Sequence, residues 1–389
     1  MNAYLDHAAS TELRPEAADA LVAWSGRAAN STGAHRPARE ARRAVEDGRD
    51  EVAAVLGCDR SEVVFCSGGT EADDLAISGT RTDGVVVCSA IEHPAVLEAV
   101  QRRGGRTIPV DRSGVVDLDA LDAMLEELGD RLGLISVMAV NNEVGTVQPI
   151  LEITRRVRAA APAALVHSDA VQALTWLDLR PIGSVVDAMS ISGHKFGGPT
   201  GVGAVMVANR VGDRIVPRQL GGGQELDRRS GTHHVAGIVA MGVAARIADA
   251  ERRAVVARVG ALRDRLVEEI CDTIDGVTET GVVAGDRSHK IAGSAHLCVE
   301  GVESEALLFL LDAAGVFASA ASSCASGAQQ RSHVLAAMGV PESMARGSLR
   351  LSLGWTTTPG EIDHALEVMT ASVNQLRSRH RPTAGALAP

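Results

Sequence analysis

The amino-acid sequence predicts an α/β fold with a mostly parallel sheet and helices on both faces. Between residues 62 and 191, short apolar runs alternate with helical patterns. The connections between them are short, as in βαβ units. Glycine or polar residues follow several of the apolar runs, and the carboxyl ends of parallel strands are where binding residues collect.

The elements follow one another in a regular order. Helical patterns cover residues 15–27 and 36–56 and are separated by a polar loop at 30–35. The predicted strands of the sheet are 62–66, 85–88, 107–110, 132–140, 163–168 and 185–191. The predicted helices between them are a helix ending at 77, then 94–103, 118–128 and 150–160. A long helix at about 235–268 leads to a second region with strands 295–299 and 348–353 and helices 303–314 and 360–376.

Composition excludes several classes of protein. The chain has 389 residues, of which 46% are hydrophobic and only 2% aromatic, so the core must be built from Ala, Val, Leu and Ile. A net charge of −11 disfavours direct nucleic-acid binding. No window approaches the roughly 18 apolar residues of a membrane span, and the N-terminus lacks the pattern of a signal peptide. Six cysteines without a CxxC pair indicate reduced thiols. We therefore expect a cytoplasmic protein without a metal site.

A lysine follows 185–191, the last predicted strand of the sheet, and lies among glycines. Lys195 lies in Ser-Gly-His-Lys-Phe-Gly-Gly, and Asp169 ends the preceding apolar run. A desolvated amine forms a Schiff base with pyridoxal phosphate, and a carboxylate at a strand end keeps the pyridine nitrogen protonated. The alternatives are a solvated surface cation and a helix N-cap.

Other strand ends carry polar groups that suit the same cofactor. Gly69 and Thr70 lie in a Ser-Gly-Gly-Thr loop before a helix, which favours an anion; a plain turn is the alternative. His93 is placed to cover a ring or move a proton, or merely to cap a helix. Asn142 is placed to bind a cofactor or substrate carboxylate, and Gln172, one predicted helical turn after the aspartate, to reach the ring oxygen.

Two residues of the second region point to chemistry on a substrate. Cys324 lies in Ser-Ala-Ala-Ser-Ser-Cys-Ala-Ser-Gly, a polar setting in which a thiol becomes an accessible nucleophile; an incidental exposed cysteine is the alternative. Arg350 places a charge inside an apolar strand. Its partner is either a substrate carboxylate or a structural Asp or Glu.

Seven motifs in this order resemble those of one family. They are Ser-Gly-Gly-Thr-Glu at 67–71, Glu-His at 92–93, Asn-Asn-Glu-Val-Gly at 141–145, Asp-Ala-Val-Gln at 169–172, Ser-Gly-His-Lys at 192–195, Arg-Ser-Gly-Thr at 229–232 and Ser-Cys-Ala-Ser-Gly at 323–327. The chain resembles the cysteine desulfurases of the branch that includes the nitrogenase-cofactor and general iron–sulfur enzymes. The resemblance implies a fold-type I pyridoxal-phosphate enzyme with a seven-stranded large domain (16–255), a small α/β domain (256–389) that carries the cysteine loop, and an N-terminal segment (1–15) associated with the small domain.

The resemblance also implies a role for each motif residue. Lys195 binds the cofactor covalently, Asp169 pairs with the ring nitrogen, Gln172 bonds the ring oxygen, and His93 stacks on the ring and transfers protons. The phosphate is held by Gly69, Thr70, Ser192 and His194, and by Thr232 from the other subunit of a homodimer. Asn142 and Arg350 bind the substrate carboxylate, and Cys324 is the nucleophile.

The implied reaction converts L-cysteine to L-alanine. Sulfur remains on Cys324 as a persulfide and passes to an acceptor protein, such as an iron–sulfur scaffold or a thiolation enzyme. The alternatives are a selenocysteine lyase, another enzyme of the class-V aminotransferase fold, and a catalytically silent binding subunit. The sequence leaves the acceptor open.

Overall fold

The computed structural model describes residues 2–28, 30–320 and 332–379 of the chain. Its strands, in chain order, are β1 (Ala3–Tyr4), β2 (Val63–Cys66), β3 (Val85–Ser89), β4 (Arg106–Ile108), β5 (Leu132–Ser136), β6 (Leu165–Asp169), β7 (Ala188–Ser192), β8 (Gly203–Val207), β9 (Val277–Glu279), β10 (Ser294–Val299), β11 (Val316–Phe317) and β12 (Ser348–Ser352). Its helices are α1 (Pro15–Ser25), α2 (Arg36–Leu56), α3 (Gly69–Ser78), α4 (Pro94–Arg102), α5 (Leu118–Leu128), α6 (Ile150–Ala160), α7 (Arg180–Gly183), α8 (Val235–Thr273), α9 (Ser304–Ala313), α10 (His333–Ala337), α11 (Glu342–Ala345) and α12 (Pro359–Arg379).

A seven-stranded sheet forms the centre of the protein, in the order β2-β8-β7-β6-β5-β3-β4. The predicted α/β class and mostly parallel sheet are confirmed, since only β8 runs against its neighbours β2 and β7. The sequence analysis did not identify β8. It also extended β5 to Val140, whereas the chain leaves the sheet after Ser136. Val140 instead pairs with Val147. The Asn-Asn motif therefore lies in the turn between these two residues, beyond the end of the strand.

The apolar side chains form two separate clusters. One surrounds the seven-stranded sheet, and the other joins the small antiparallel sheet β12-β10-β9 to the second half of α8, to α9 and to α12. Because α8 has 39 residues, it contributes to the first cluster up to Ala248 and to the second from Val255 onwards. Ala3 and Leu5 belong to the second cluster, and β1 pairs with β11. The domain limits given above stay a prediction.

The connections that follow the strands position the site. The chain leaves β2 for the Gly-Gly-Thr start of α3, β3 for His93, β5 for Asn142, and β7 for a 3₁₀ turn that ends at Lys195. No helix in the described part of the chain is long and apolar enough to cross a membrane.

Candidate active site

A cavity of about 580 Å³ opens at the carboxyl ends of the central strands. That volume lies within the range of small-ligand sites. Nine of the predicted site residues line it: Gly69, Thr70, His93, Asn142, Asp169, Gln172, Ser192, His194 and Lys195. Arg350 lines it too, together with Leu308, Ser319 and Ala320 from the second region. Residues from both parts of the chain therefore line the cavity.

The amine of Lys195 points into a ring of polar groups. Its Nζ donates to the carbonyl oxygens of Ala8 at 2.5 Å and Ala9 at 2.9 Å. Burial and the Arg350 guanidinium lower the pKa of Lys195 to about 8, against the opposing charges of Asp169 and Asp6. An appreciable fraction of the amine is consequently neutral near physiological pH, as a nucleophile or base requires.

Asp169 ends β6 on the cavity floor, 5% exposed. Its carboxylate accepts a hydrogen bond from Val171 N at 2.8 Å. Burial raises the pKa of Asp169 to about 6, while that hydrogen bond and the charge of Lys195 act in the other direction. Such a carboxylate is ready to pair with a cationic ring nitrogen.

A second acid, Asp73, lies beside Asp169 on the floor and is 1% exposed. Burial, and then the charge of Asp169, raise the pKa of Asp73 well above its usual value. His167 is 3.6 Å from Asp73 and bonds Ser136 and Ser190 on its two ring nitrogens. Burial lowers the pKa of His167 to about 3. Burial therefore disfavours the charged forms of Asp73 and His167, the neighbours of Asp169 on the floor.

One end of the cavity suits an anion. Gly69 begins α3, and no side chain caps the helix N-terminus. The free backbone N–H groups there favour a negative group, and the Thr70 and Ser192 hydroxyls lie beside them. His194 contacts Ser10 Oγ through Nδ1 at 3.3 Å. Burial and the charge of Lys195 lower the pKa of His194 to about 4, so it offers a neutral imidazole.

His93 caps a helix and also lies at the cavity. It caps α4 by accepting the Ala95 N–H on Nδ1 at 3.2 Å, and its ring lines the cavity. Burial and the nearby charges of Lys195 and His333 lower its pKa. The free ring is thus neutral at pH 7 and presents a flat surface to the cavity.

Gln172 does not lie on a helix, contrary to the predicted helical turn, because the chain forms successive turns after β6. Its side-chain amide donates to Ala8 O at 2.7 Å. Arg350 on β12 is buried and donates to Asn142 O at 2.9 Å and to Asp6 Oδ1 at 2.7 Å. It therefore has a structural acidic partner and also lines the cavity.

One predicted site residue lies elsewhere. Thr232 is exposed just before α8 and does not line the cavity of its own chain. Cys324 lies outside the described residues.

The sequence analysis missed Asp6, Asp73 and the carbonyls of Ala8 and Ala9. A signal existed for Asp73, which stands four residues after Gly69 and so on the same face of α3. Asp6 and the two alanines carry no such local signal.

The polar groups of the cavity fit pyridoxal phosphate. The open helix end with its hydroxyls suits the phosphate, the buried Asp169 carboxylate suits a ring nitrogen that must stay protonated, and the Lys195 amine of lowered pKa suits the aldehyde. These three groups line one cavity of sufficient size.

Known proteins match the chain over nearly its full length. The aminotransferase class-V family model covers residues 3–365. An IscS-like cysteine desulfurase of Mycobacterium tuberculosis is 44% identical over 398 residues, covering 99% of each chain. The cysteine desulfurase IscS of Dictyoglomus turgidum is 37% identical, covering 96% of this chain and 95% of its own. The solved structure of a NifS-like protein from Rickettsia africae superposes with a TM-score of 0.88 at 28% identity, covering 96% of this chain and all of its own. The chain therefore belongs to the class-V aminotransferase family and, within it, to the cysteine desulfurases.

Proposed function

We propose that this protein converts L-cysteine to L-alanine with pyridoxal phosphate, takes the sulfur onto Cys324 and delivers it to an acceptor protein. The observation that carries the proposal is the single cavity that brings together the Lys195 amine, the Asp169 carboxylate, an uncapped helix N-terminus and the Arg350 guanidinium. Membership of the cysteine desulfurases supports the choice of substrate.

The cofactor would be held at three points. Lys195 attaches it, Asp169 pairs with the ring nitrogen, and the start of α3 with Thr70, Ser192 and His194 binds the phosphate. His93 covers the ring face and Gln172 reaches the ring oxygen. When bound, pyridoxal phosphate supplies an electron-withdrawing ring that acidifies the substrate Cα–H and weakens the Cβ–S bond.

The substrate would be oriented by its carboxylate. Arg350 offers a guanidinium fork that is fixed on one side by Asp6, and Asn142 lies beside it. A bidentate guanidinium–carboxylate pair sets both position and direction. The Cα–H is then presented to the neutral Lys195 amine, which takes the proton.

Sulfur transfer balances without an outside oxidant. The Cys324 thiolate attacks the substrate sulfur, a sulfur–sulfur bond forms and the Cβ–S bond breaks. The electron pair of that bond stays with Cβ, which gains a proton and becomes the methyl group of alanine. The enzyme keeps a persulfide on Cys324, and this is the form that an acceptor receives.

The proposal includes a homodimer and a cytoplasmic location. Thr232 is exposed and does not line the cavity of its own chain, which is consistent with a contact to the phosphate of a second subunit. The five cysteines in the described residues are all free, as expected in a reducing compartment.

The test replaces Cys324 with serine. We expect Cys324→Ser to bind pyridoxal phosphate with an unchanged absorbance spectrum and to lose alanine formation from L-cysteine. The matched control is Cys271→Ser, since Cys271 is an exposed thiol on α8, away from the cavity, and should keep full turnover. Full turnover by Cys324→Ser would refute the assignment.

A further inference from the structure

The amine of Lys195 is held by main-chain oxygens as well as by charged side chains. The carbonyls of Ala8 and Ala9 accept hydrogen bonds from Nζ, and the Ala8 carbonyl also accepts one from Gln172. Both carbonyls belong to the turn that follows β1. A carbonyl oxygen has no proton to donate, so this pair interacts best with an ammonium group.

A side-chain hydroxyl reinforces that turn, in which Ala9 N also donates to Asp6 O at 3.0 Å. Tyr4, the only tyrosine of the chain, donates to Ser10 O at 2.8 Å and to Asp6 O at 3.2 Å. These two acceptors flank the Ala8–Ala9 pair on either side. The start of the turn is anchored because β1 pairs with β11, and Ala8 N donates to Ser352 Oγ at 2.9 Å. The Tyr4 hydroxyl therefore helps to fix where the two carbonyls lie, since it binds the chain on both sides of them.

The charged side chains around Lys195 do not take the place of the two carbonyls as partners of its amine. The titratable or charged side chains that act on it are Arg350, Asp169, Asp6, His93 and His194. The two histidines are neutral near pH 7 and the guanidinium disfavours a second cation. Asp169 is assigned to the cofactor and Asp6 is bonded to the arginine. The carbonyl pair is thus the direct hydrogen-bonding partner of the ammonium form.

We propose that the Ala8 and Ala9 carbonyls form a cradle that receives the Lys195 amine whenever it leaves the cofactor and holds the proton it takes from the substrate, and that Tyr4 is the positioning residue of this cradle. In that step the Cα–H bond breaks, its electron pair stays with the carbon, and Nζ gains the proton. The inference rests on the proposed function and adds to it a residue that touches neither cofactor nor substrate.

An unusual composition makes the test direct. The chain contains only two lysines, Lys195 and Lys290. Lys290 is buried, and its Nζ donates to Thr280 O at 2.7 Å. Protein labelled with ¹³C at the lysine ε carbon therefore gives two signals, which Lys290→Arg assigns. Titrating them by NMR after removal of the cofactor measures the pKa of the free Lys195 amine without any contribution from surface lysines.

The informative variant is Tyr4→Phe. Loss of the Tyr4 hydroxyl loosens the cradle and weakens its hydrogen bonds to the Lys195 ammonium. The pKa of Lys195 should therefore fall by about one unit, a tenfold change in proton affinity. The signal of Lys290 should titrate as before. Thr11→Val is the control: it removes a hydroxyl from the same segment, one that contacts His7 Nδ1 at 2.8 Å, and should leave both lysines unchanged.

Two results would overturn the proposal. One is an unchanged Lys195 titration in Tyr4→Phe; the other is an equal shift of Lys290, which would show a general loosening of the structure. Covalent attachment of pyridoxal phosphate to Lys195, fixed with borohydride and located by mass spectrometry, separates the two hypotheses. If attachment persists while the titration is unchanged, the cradle is wrong and the proposed function stands. If the wild-type protein shows no attachment, the proposed function fails.

Discussion

The carboxylate of Glu225 ties the loop before α8 to α2 and β2. It is 4% exposed, pairs with both terminal nitrogens of Arg49 at 2.8 Å, and accepts hydrogen bonds from His233 Nε2 at 2.6 Å and Phe65 N at 2.7 Å. The Glu225→Gln variant keeps the volume and removes the charge. It leaves the buried Arg49 guanidinium with only the partly exposed Glu46 carboxylate, 3.4 Å from its Nε, as a counter-charge.

Two independent arguments give the size of the effect. Breaking a buried ion pair by removing one partner costs about 3–5 kcal/mol. Burial alone would raise the pKa of Glu225, but the hydrogen bonds from Arg49 and His233 lower it from 4.5 to about 2. At about 1.4 kcal/mol per unit, this fall stabilises the folded state by roughly 3 kcal/mol. We therefore expect Glu225→Gln to lose about 3 kcal/mol at pH 7.

The pH dependence distinguishes this mechanism from a packing defect. Because the folded pKa lies below the unfolded one, the contribution is complete above pH 4.5 and is lost as the pH falls towards 2. Urea titrations followed by circular dichroism should show the gap between wild type and Glu225→Gln closing over that interval. Glu46→Gln is the control, since Glu46 contacts the same arginine at 3.4 Å from a 38% exposed position and should cost under about 1 kcal/mol. A variant within 1 kcal/mol of wild type at pH 7, or a gap equally large at pH 2.5, would refute the reasoning.

Three further outcomes are expected. Gly145→Ala should lower stability by about 2–4 kcal/mol in urea titrations, because a Cβ there would lie 2.3 Å from Ser294 Cβ at a φ of +77°; an unchanged midpoint would contradict the geometry. Arg350→Lys should raise KM for L-cysteine about 10- to 100-fold, because an ammonium cannot form the bidentate pair, whereas exposed Arg346→Lys should leave it unchanged. The rate at which pyridoxal phosphate attaches to Lys195 should rise with pH through about 8, the pKa of its amine, since only the neutral amine attacks an aldehyde; a stopped-flow midpoint near 10 would be inconsistent with burial of that group.

The sequence predicted the helices better than the strands, for a physical reason. The predicted limits of the helices at 36–56, 118–128 and 150–160 agree with the structure, because a 3.6-residue period persists over three or more turns. β8 follows a glycine-rich loop and was missed, although it has five residues like the predicted strands β5, β6 and β7. Its antiparallel direction depends on pairing with β2 and β7, which no local pattern encodes.

The site residues that could be predicted are those whose side chains differ in kind from their neighbours in the sequence. A lone lysine among glycines and an aspartate ending an apolar run stand out locally, and the structure places Lys195 and Asp169 in one cavity. Asp73 lies inside a helix, where an acid looks like part of a solvated face. The carbonyls of Ala8 and Ala9 have no sequence signature, because every residue has a carbonyl and only the fold decides which ones face an amine.

Arg350 shows why the structural and functional interpretations of one residue do not compete. A guanidinium has five N–H donors in a fixed fork. Asp6 and the Asn142 carbonyl accept from one terminal nitrogen each, while the buried Nε has no partner among the described residues. A buried donor without a partner costs about 1–3 kcal/mol. The Asp6 pair therefore orients the group without exhausting its donors, and the donors that remain are what a substrate carboxylate would use. On this argument Asp6→Asn should raise KM for L-cysteine by loosening the fork.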